Sequence, residues 1–273
     1  MEGVVAQRGG ELVGYLLGER LISPWMGRTG WLRLTGHAAT DLELYRDLYA
    51  ELAARWVADG IFDHYVMVAA GHRALLDVWF DLGFGKQQAY AFLPLTDYAP
   101  DFPVPSDIEV RRATPDDRDA VRSIGDTIAR YQMGSPVFAP TPPEIIEEDI
   151  RNGMVELIED DEWMLWLALK GGQVVGYQGY VVEEADDTNL LSIPGAVELS
   201  IAGTAAHARG LGVGRALTRH GLLHARDAGY AICLTDWRTT NLLSSRFWPR
   251  SGFVPVVYRL TRHIDPRITW AAR

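Results

Sequence analysis

Residues 196–234 read AVELSIAGTAAHARGLGVGRALTRHGLLHARDAGYAICL. Gly210, Gly212 and Gly214 fall at every second position between a strand-like run, residues 197–204, and a helical stretch. Glycines there let backbone N–H groups approach a ligand closely, and the helix start adds the positive end of its dipole. Such a turn suits a phosphate or diphosphate. Local charge agrees: residues 207–227 hold four arginines (Arg209, Arg215, Arg219, Arg226) against one acid, Asp227, in a chain of net charge −10. No Gly-Lys-Ser/Thr follows, so this is not a Walker loop, and the glycine spacing is not GxGxxG. A second polar segment follows, NLLSSRFWPRSGF, residues 241–253.

The two segments together carry a resemblance. Arg209-Gly-Leu-Gly212-Val-Gly214 resembles the R/Q-x-x-G-x-G/A pyrophosphate loop of the GNAT superfamily of acyl-CoA-dependent N-acetyltransferases. Asn241 to Phe253 is similar to that family's N..A...Y....GF segment. The likeness covers about residues 107–261. It implies an α/β (α+β) fold, a mixed and mostly antiparallel twisted sheet flanked by helices and splayed between its fourth and fifth strands. Acetyl-CoA is the implied co-substrate, with no metal. Arg209, Gly210, Leu211, Gly212, Val213, Gly214 and Arg215 match the pyrophosphate loop; Ala202, Gly203 and Thr204 match the strand that pairs with the pantetheine arm. Asn241, Ser244 and Phe247 match the segment on the arm's other side. Glu198 matches the place of a general base. Trp248 stands where many relatives have a tyrosine that protonates the departing thiolate; an indole N–H donates a hydrogen bond but is not an acid. Trp248 therefore reads equally as core, and Ser244 or Ser245 as the alternative donor.

The implied chemistry sets three demands. An alkylamine, of pKa about 10, must lose a proton. The thioester oxygen needs a donor as it gains charge, here a backbone N–H near residues 202–204. The thiolate must leave. A buried carboxylate with a raised pKa could supply the base.

The scaffold for these residues is written twice. GGELVGY (residues 9–15) returns as GGQVVGY (residues 171–177), five of seven positions identical at an offset of 162. Each Gly-Gly pair separates two apolar runs, which predicts a tight hairpin. Further on, Gly60, Trp79, Gly83 and Phe84 match Gly229, Trp248, Gly252 and Phe253 at an offset of 169. Leu44, Leu48, Leu52 and Trp56 recur every fourth residue, an amphipathic helix ending at a glycine. The order strand, strand, strand, helix, strand, helix, strand thus appears twice. Residues 1–95 are expected to be a degenerate, N-terminally truncated copy, 96–106 a Pro-rich linker, and 107–273 the acetyltransferase domain. Thr114 and Asp117 suit a helix N-terminus. At the offset of 169, Arg209, Gly210, Gly212 and Gly214 fall on Thr40, Asp41, Glu43 and Tyr45, Glu198 on Thr29, and Asn241 on His72. The first copy is expected not to bind CoA and to pack against the second.

Composition fits these readings. The chain has 273 residues, 48% hydrophobic, with no apolar run long enough to span a bilayer and no leader-like start. One cysteine, Cys233, excludes an internal disulfide framework and suits a reducing cytoplasm. Scattered histidines offer no metal-ligand spacing. Net acidity disfavours nucleic acid as a partner. The expected acceptor is a small or exposed primary amine, cationic by preference, and the protein a monomer or homodimer. Tyr131, Phe138, Tyr177 and Tyr180 line a pocket or fill core. The competing reading is a non-catalytic acyl-CoA binding or sensing protein.

Overall fold

The computed structural model describes residues 2–182, 186 and 189–271. The first copy runs β1 (Glu2–Arg8), β2 (Glu11–Ser23), β3 (Gly27–Ala39), α1 (Leu44–Ala58), β4 (Asp63–Ala69), α2 (Arg73–Asp81) and β5 (Gly85–Pro94). The second opens with β6 (Ile108–Arg112), α3 (Arg118–Ile124), α4 (Thr127–Met133), α5 (Pro143–Ile145), a π-helical turn (Ile146–Arg151) and α6 (Asn152–Glu156). It then repeats the order: β7 (Trp163–Lys170), β8 (Gln173–Val182), β9 (Ala196–Thr204), α7 (Val213–Asp227), β10 (Ile232–Arg238), α8 (Ser244–Arg250) and β11 (Val254–His263). Both Gly-Gly turns have two consecutive positive φ angles, 62° and 88° at Gly9 and Gly10, 57° and 78° at Gly171 and Gly172. Only that handedness matches the twist of the strands it joins.

The chain forms two compact units, and neither is one continuous stretch. The first holds the described residues of 1–90, 186–191 and 255–273; the second holds those of 91–185 and 192–254. The linear boundaries read from the sequence cut between copies, whereas β11 belongs with the first unit. β5 divides, residues 85–90 in the first unit and 91–94 in the second.

In the first unit the strand order is β1-β2-β3-β4-β11. β1 to β3 are antiparallel, β4 runs parallel to β3, and β11 pairs antiparallel with β4 over seven residues, Val257 opposite Ala69 to His263 opposite Asp63. The helices α1 and α2 bury Leu48, Leu52, Trp56, Leu76 and Trp79 against Leu16, Leu32, Val66, Val68 and Leu260. Gly18 and Gly30 exist to admit Trp56: a Cβ on either would lie 2.3 or 2.4 Å from its ring. On the other face Trp31 stacks on Tyr65 at 5.0 Å and the Arg259 guanidinium lies over both rings.

In the second unit β6 to β9 form an antiparallel run and β10 lies parallel to β9. Thr114 and Asp117 form the expected capping box at the entry to α3, and Arg111 forks onto Asp117 with two bonds of 2.7 Å. Tyr177 donates to the Gly125 carbonyl, which places α3 and α4 on one face of the sheet. The α7 helix lies on the opposite face, where Gln178 Nε2 donates to Thr218 Oγ1 at 2.8 Å and Tyr180 occupies the space opened by Gly221. The sheet–helix space is thus filled from opposite sides in the two copies: a helix tryptophan over Gly18 in the first, a sheet tyrosine under Gly221 in the second. Tyr177 and Tyr180 are core, each 1% exposed. Phe138 is exposed and takes φ +50°, and Tyr131 is half-buried.

Candidate functional site

A gap between two strands is the first part of the site. β9 and β10 pair only from Ala196 opposite Ile232 to Leu199 opposite Thr235, where Thr235 Oγ1 donates to the Leu199 carbonyl at 2.9 Å. Beyond that point β9 stays bonded to β8, Ala202 opposite Gln178 and Thr204 opposite Gly176, and has no ladder to β10 among the described residues. A bulge at Ser200 marks the divergence, with Gly179 opposite Ile201 but Tyr180 opposite Leu199. Bulges bend a strand and re-aim its side chains. The sheet therefore opens where the resemblance implied, between the fourth and fifth strands of this copy, and the edge of Ile201, Ala202, Gly203 and Thr204 faces the opening. Gly203 is needed for packing: a Cβ there would meet the Tyr177 ring at 2.5 Å.

The glycine loop closes one end of the gap. Ala206–Ala208 form a short 3-10 turn, then Arg209, Gly210, Leu211 and Gly212 lead into α7. Gly210 and Gly212 have φ of 79° and 87°, and Gly212 is the N-cap of α7 without any side-chain cap. The first-turn N–H groups of Val213, Gly214 and Arg215 have no partner inside a helix. They stay available for an anion, with the positive end of a 15-residue helix behind them. Gly210 and Leu211 are exposed, and a Cβ on Gly210 would meet nothing within 4 Å. Arg209 is held from two sides: its Nε donates to the Thr204 carbonyl at 3.3 Å and its guanidinium lies 5.0 Å from the Tyr131 ring centre. Phe247 packs its ring edge against Gly214, 3.4 Å from where a Cβ would stand.

Asn241 begins the segment on the far side of the gap. It is buried, and its Oδ1 accepts from the N–H groups of Leu243 and Ser244 at 3.0 and 3.2 Å, capping α8. With the oxygen so used, its amide nitrogen is the group left to face a ligand. The Ser244 hydroxyl is buried with no hydrogen-bond partner. Trp248 is 5% exposed and meets Phe253 edge-on at 5.5 Å and 79°; its counterpart Trp79 meets Phe84 at 5.1 Å and 79°. The tryptophan is thus the same core element in both copies.

Glu198 lies on β9 two residues before the bulge, half-buried, opposite Val181 on one side and Leu234 on the other. Strand alternation puts it on the face of Tyr177 and Gly179, the face covered by α3 and α4. On that face Asp126 is almost fully buried. Burial alone would raise its pKa, but hydrogen bonds from Arg130 and Arg151 outweigh this and hold it below the ordinary carboxylate value. Arg151 also bonds Glu147, so the ion cluster ties α4 to the π-helical turn.

The first copy keeps the gap but fills it. β3 and β4 also pair over four positions, Thr29 opposite Asp63 to Leu32 opposite Val66. Past them His37 Nε2 bonds the Met67 carbonyl at 2.8 Å across the opening, and Tyr45 and Trp79 pack edge-on against the imidazole. The connection from β3 to α1 is Thr40–Glu43, half the length of the Ala205–Gly212 connection. The register also corrects one equivalence. Trp31 lies opposite Tyr65 as Glu198 lies opposite Leu234, so Trp31, not Thr29, stands in the place of Glu198. A constant offset misses this because the copies differ in length between β2 and α1 and between β8 and α7.

The Acetyltransferase (GNAT) family model matches residues 129–253. A GCN5-related N-acetyltransferase from Sphaerobacter thermophilus superposes with a TM-score of 0.60 at 16% identity, covering 97% of this chain and 82% of that one. A tandem GNAT protein from the clavulanic acid biosynthesis pathway gives 0.52 at 14% identity, covering 96% and 82%. A GCN5-related N-acetyltransferase from Kribbella flavida gives 0.52 at 14%, covering 93% and 92%. These likenesses establish the fold across nearly the whole chain. Comparison with curated proteins finds no match.

Proposed function

We propose, because the Acetyltransferase (GNAT) family model matches residues 129–253, that this chain is an N-acetyltransferase that moves an acetyl group from acetyl-CoA to a primary amine. The observation that carries this reading is the eight-residue connection between β9 and α7, with Gly212 left-handed at the head of an uncapped helix beside the open strand pair. Arg209 to Arg215 would hold the diphosphate, the β9 edge at residues 202–204 and the Asn241 amide nitrogen the pantetheine arm, and Ser244 and Phe247 the far wall.

The roles follow from position. Glu198 is the base that takes the ammonium proton. A backbone N–H at residues 202–204 receives the thioester oxygen as charge builds on it. Trp248 packs the core and takes no part in proton transfer, so the thiolate leaves toward the Ser244 hydroxyl, the nearby donor with no partner of its own. A thiol pKa near 8.5 makes that departure feasible without a strong acid. Net charge −10 favours a cationic acceptor, and the single buried Cys233 suits the cytoplasm.

A binding or sensing role for the same site is the second reading; the buried, core-like Trp248 favours it. Release of free thiol from acetyl-CoA in the presence of an amine panel separates the two. Turnover on any amine supports the enzyme; tight binding with no thiol release on the whole panel supports the sensor. Gly212→Glu should weaken acetyl-CoA binding by roughly a hundredfold under either reading, because it adds both a side chain at positive φ and a negative charge. Unchanged binding would overturn both.

A further inference from the structure

The linker between the copies meets the α7 helix of the second copy at both ends. At the C-terminal end of α7, Arg226 donates to the Tyr98 carbonyl at 2.7 Å. At its N-terminal end the Pro105 ring lies on Gly212: a Cβ built there would stand 2.7 Å from Pro105 Cγ and 2.8 Å from Cδ. The lengths agree. The 15 residues of α7 span about 22 Å, and the seven steps from Tyr98 to Pro105 reach about 23–25 Å when extended. Pro105 is then fixed in turn by its carbonyl, which accepts from the Ile108 N–H at 3.4 Å at the start of β6.

We propose that Pro105 is a positioning residue for the glycine loop, a rigid ring that holds Gly212 in its left-handed conformation before any ligand arrives. The inference rests on the reading of that loop as the acetyl-CoA diphosphate site. Arg209 anchors one end of the loop, but at the other end Gly212 is at positive φ with no side-chain cap of its own. Of its three glycines Gly212 is the one at which an added Cβ would meet the linker, and it is the N-cap whose geometry aims the N–H groups of α7. A proline has no side-chain torsion to freeze and a fixed φ, so its contact costs little entropy. A loop held in the binding conformation loses less freedom when it binds.

The test uses the full chain with Pro105→Ala, which removes the two ring carbons in contact, and Pro103→Ala, which loosens the linker without removing that contact. Acetyl-CoA affinity is measured by calorimetry and amide exchange at residues 210–216 by mass spectrometry on the ligand-free protein. We expect Pro105→Ala to weaken acetyl-CoA about five- to tenfold and to speed exchange in that segment, with the melting temperature and the exchange of β7 and β8 unchanged. Pro103→Ala should match wild type. Wild-type affinity or wild-type exchange in Pro105→Ala, or an equal loss in Pro103→Ala, overturns the proposal. Failure of the wild-type protein to bind acetyl-CoA overturns the functional reading instead.

Discussion

Glu198 and Cys233 sit on neighbouring strands and show how position decides what a reactive side chain can do. Glu198 lies at the mouth of the strand opening, half-buried. If it is the base as proposed, its replacement by glutamine should lower kcat about a hundredfold or more while leaving acetyl-CoA affinity near wild type. An unchanged rate would remove Glu198 from the mechanism. Cys233 is fully buried, and burial pushes its thiol far above the ordinary value. Reaction with a thiol reagent should be negligible in native buffer and quantitative in denaturant. The thiolate is the reactive form, and this site does not support it.

Elements explain why the glycine connection stands beside an open strand pair in one copy and not in the other. The strand pair opens after four ladder positions in both. What differs is the connection to the next helix and the side chains that stand in the gap. Thr40–Glu43 is too short for a cradle, Glu43 at the head of α1 has φ −64° where Gly212 has +87°, and His37, Tyr45 and Trp79 close the opening. Calorimetry should therefore return one acetyl-CoA per chain, and a value near two would contradict the filled gap. Much of this was legible in the residues. Gly-Gly hairpins, the Leu44 to Trp56 stripe, the Thr114–Asp117 cap and the 209–214 loop are local signals, and each is found where the sequence places it. Long-range pairing was not legible. Nothing in Val254–His263 tells that its partner is β4, because a strand's neighbour is set by the whole sheet. Pro105 against Gly212 was hidden for the same reason: a proline-rich stretch reads as a spacer until its neighbour in space is known. Trp31 in the place of Glu198 needed the ladder register, since insertions broke the constant offset.

At the scale of the whole molecule, stability should depend on pH through a histidine of the first copy. His64 is fully buried between Tyr49 and the Ile61 carbonyl. A carbonyl only accepts, so Nε2 carries the hydrogen and Nδ1 accepts from the Tyr49 hydroxyl at 2.8 Å. Burial lowers its pKa from 6.5 to about 4. The unfolded chain thus takes up a proton between those values that the folded chain refuses. Stability is full above pH 6.5 and falls as the pH drops toward 4, by about 3 kcal/mol from this group at most. His37, shifted downward by burial as well, adds in the same direction. Urea unfolding at pH 7 and pH 4.5 should show the loss, and His64→Gln should flatten it; an equal slope in the variant would assign the effect elsewhere.

The placement of β11 has a consequence for how the gene can change. The last strand of the second copy completes the sheet of the first. A chain ending at Val254 would leave the Asp63–Ala69 edge bare, and one beginning at residue 107 would carry a ten-residue strand with no β4 beside it. Bare edges invite pairing with other chains. Either deletion should aggregate on expression where the full chain does not. The first copy is thereby shielded from pruning: a lineage can rewrite Thr40–Glu43 one codon at a time, but cannot discard the edge on which Val257–His263 folds.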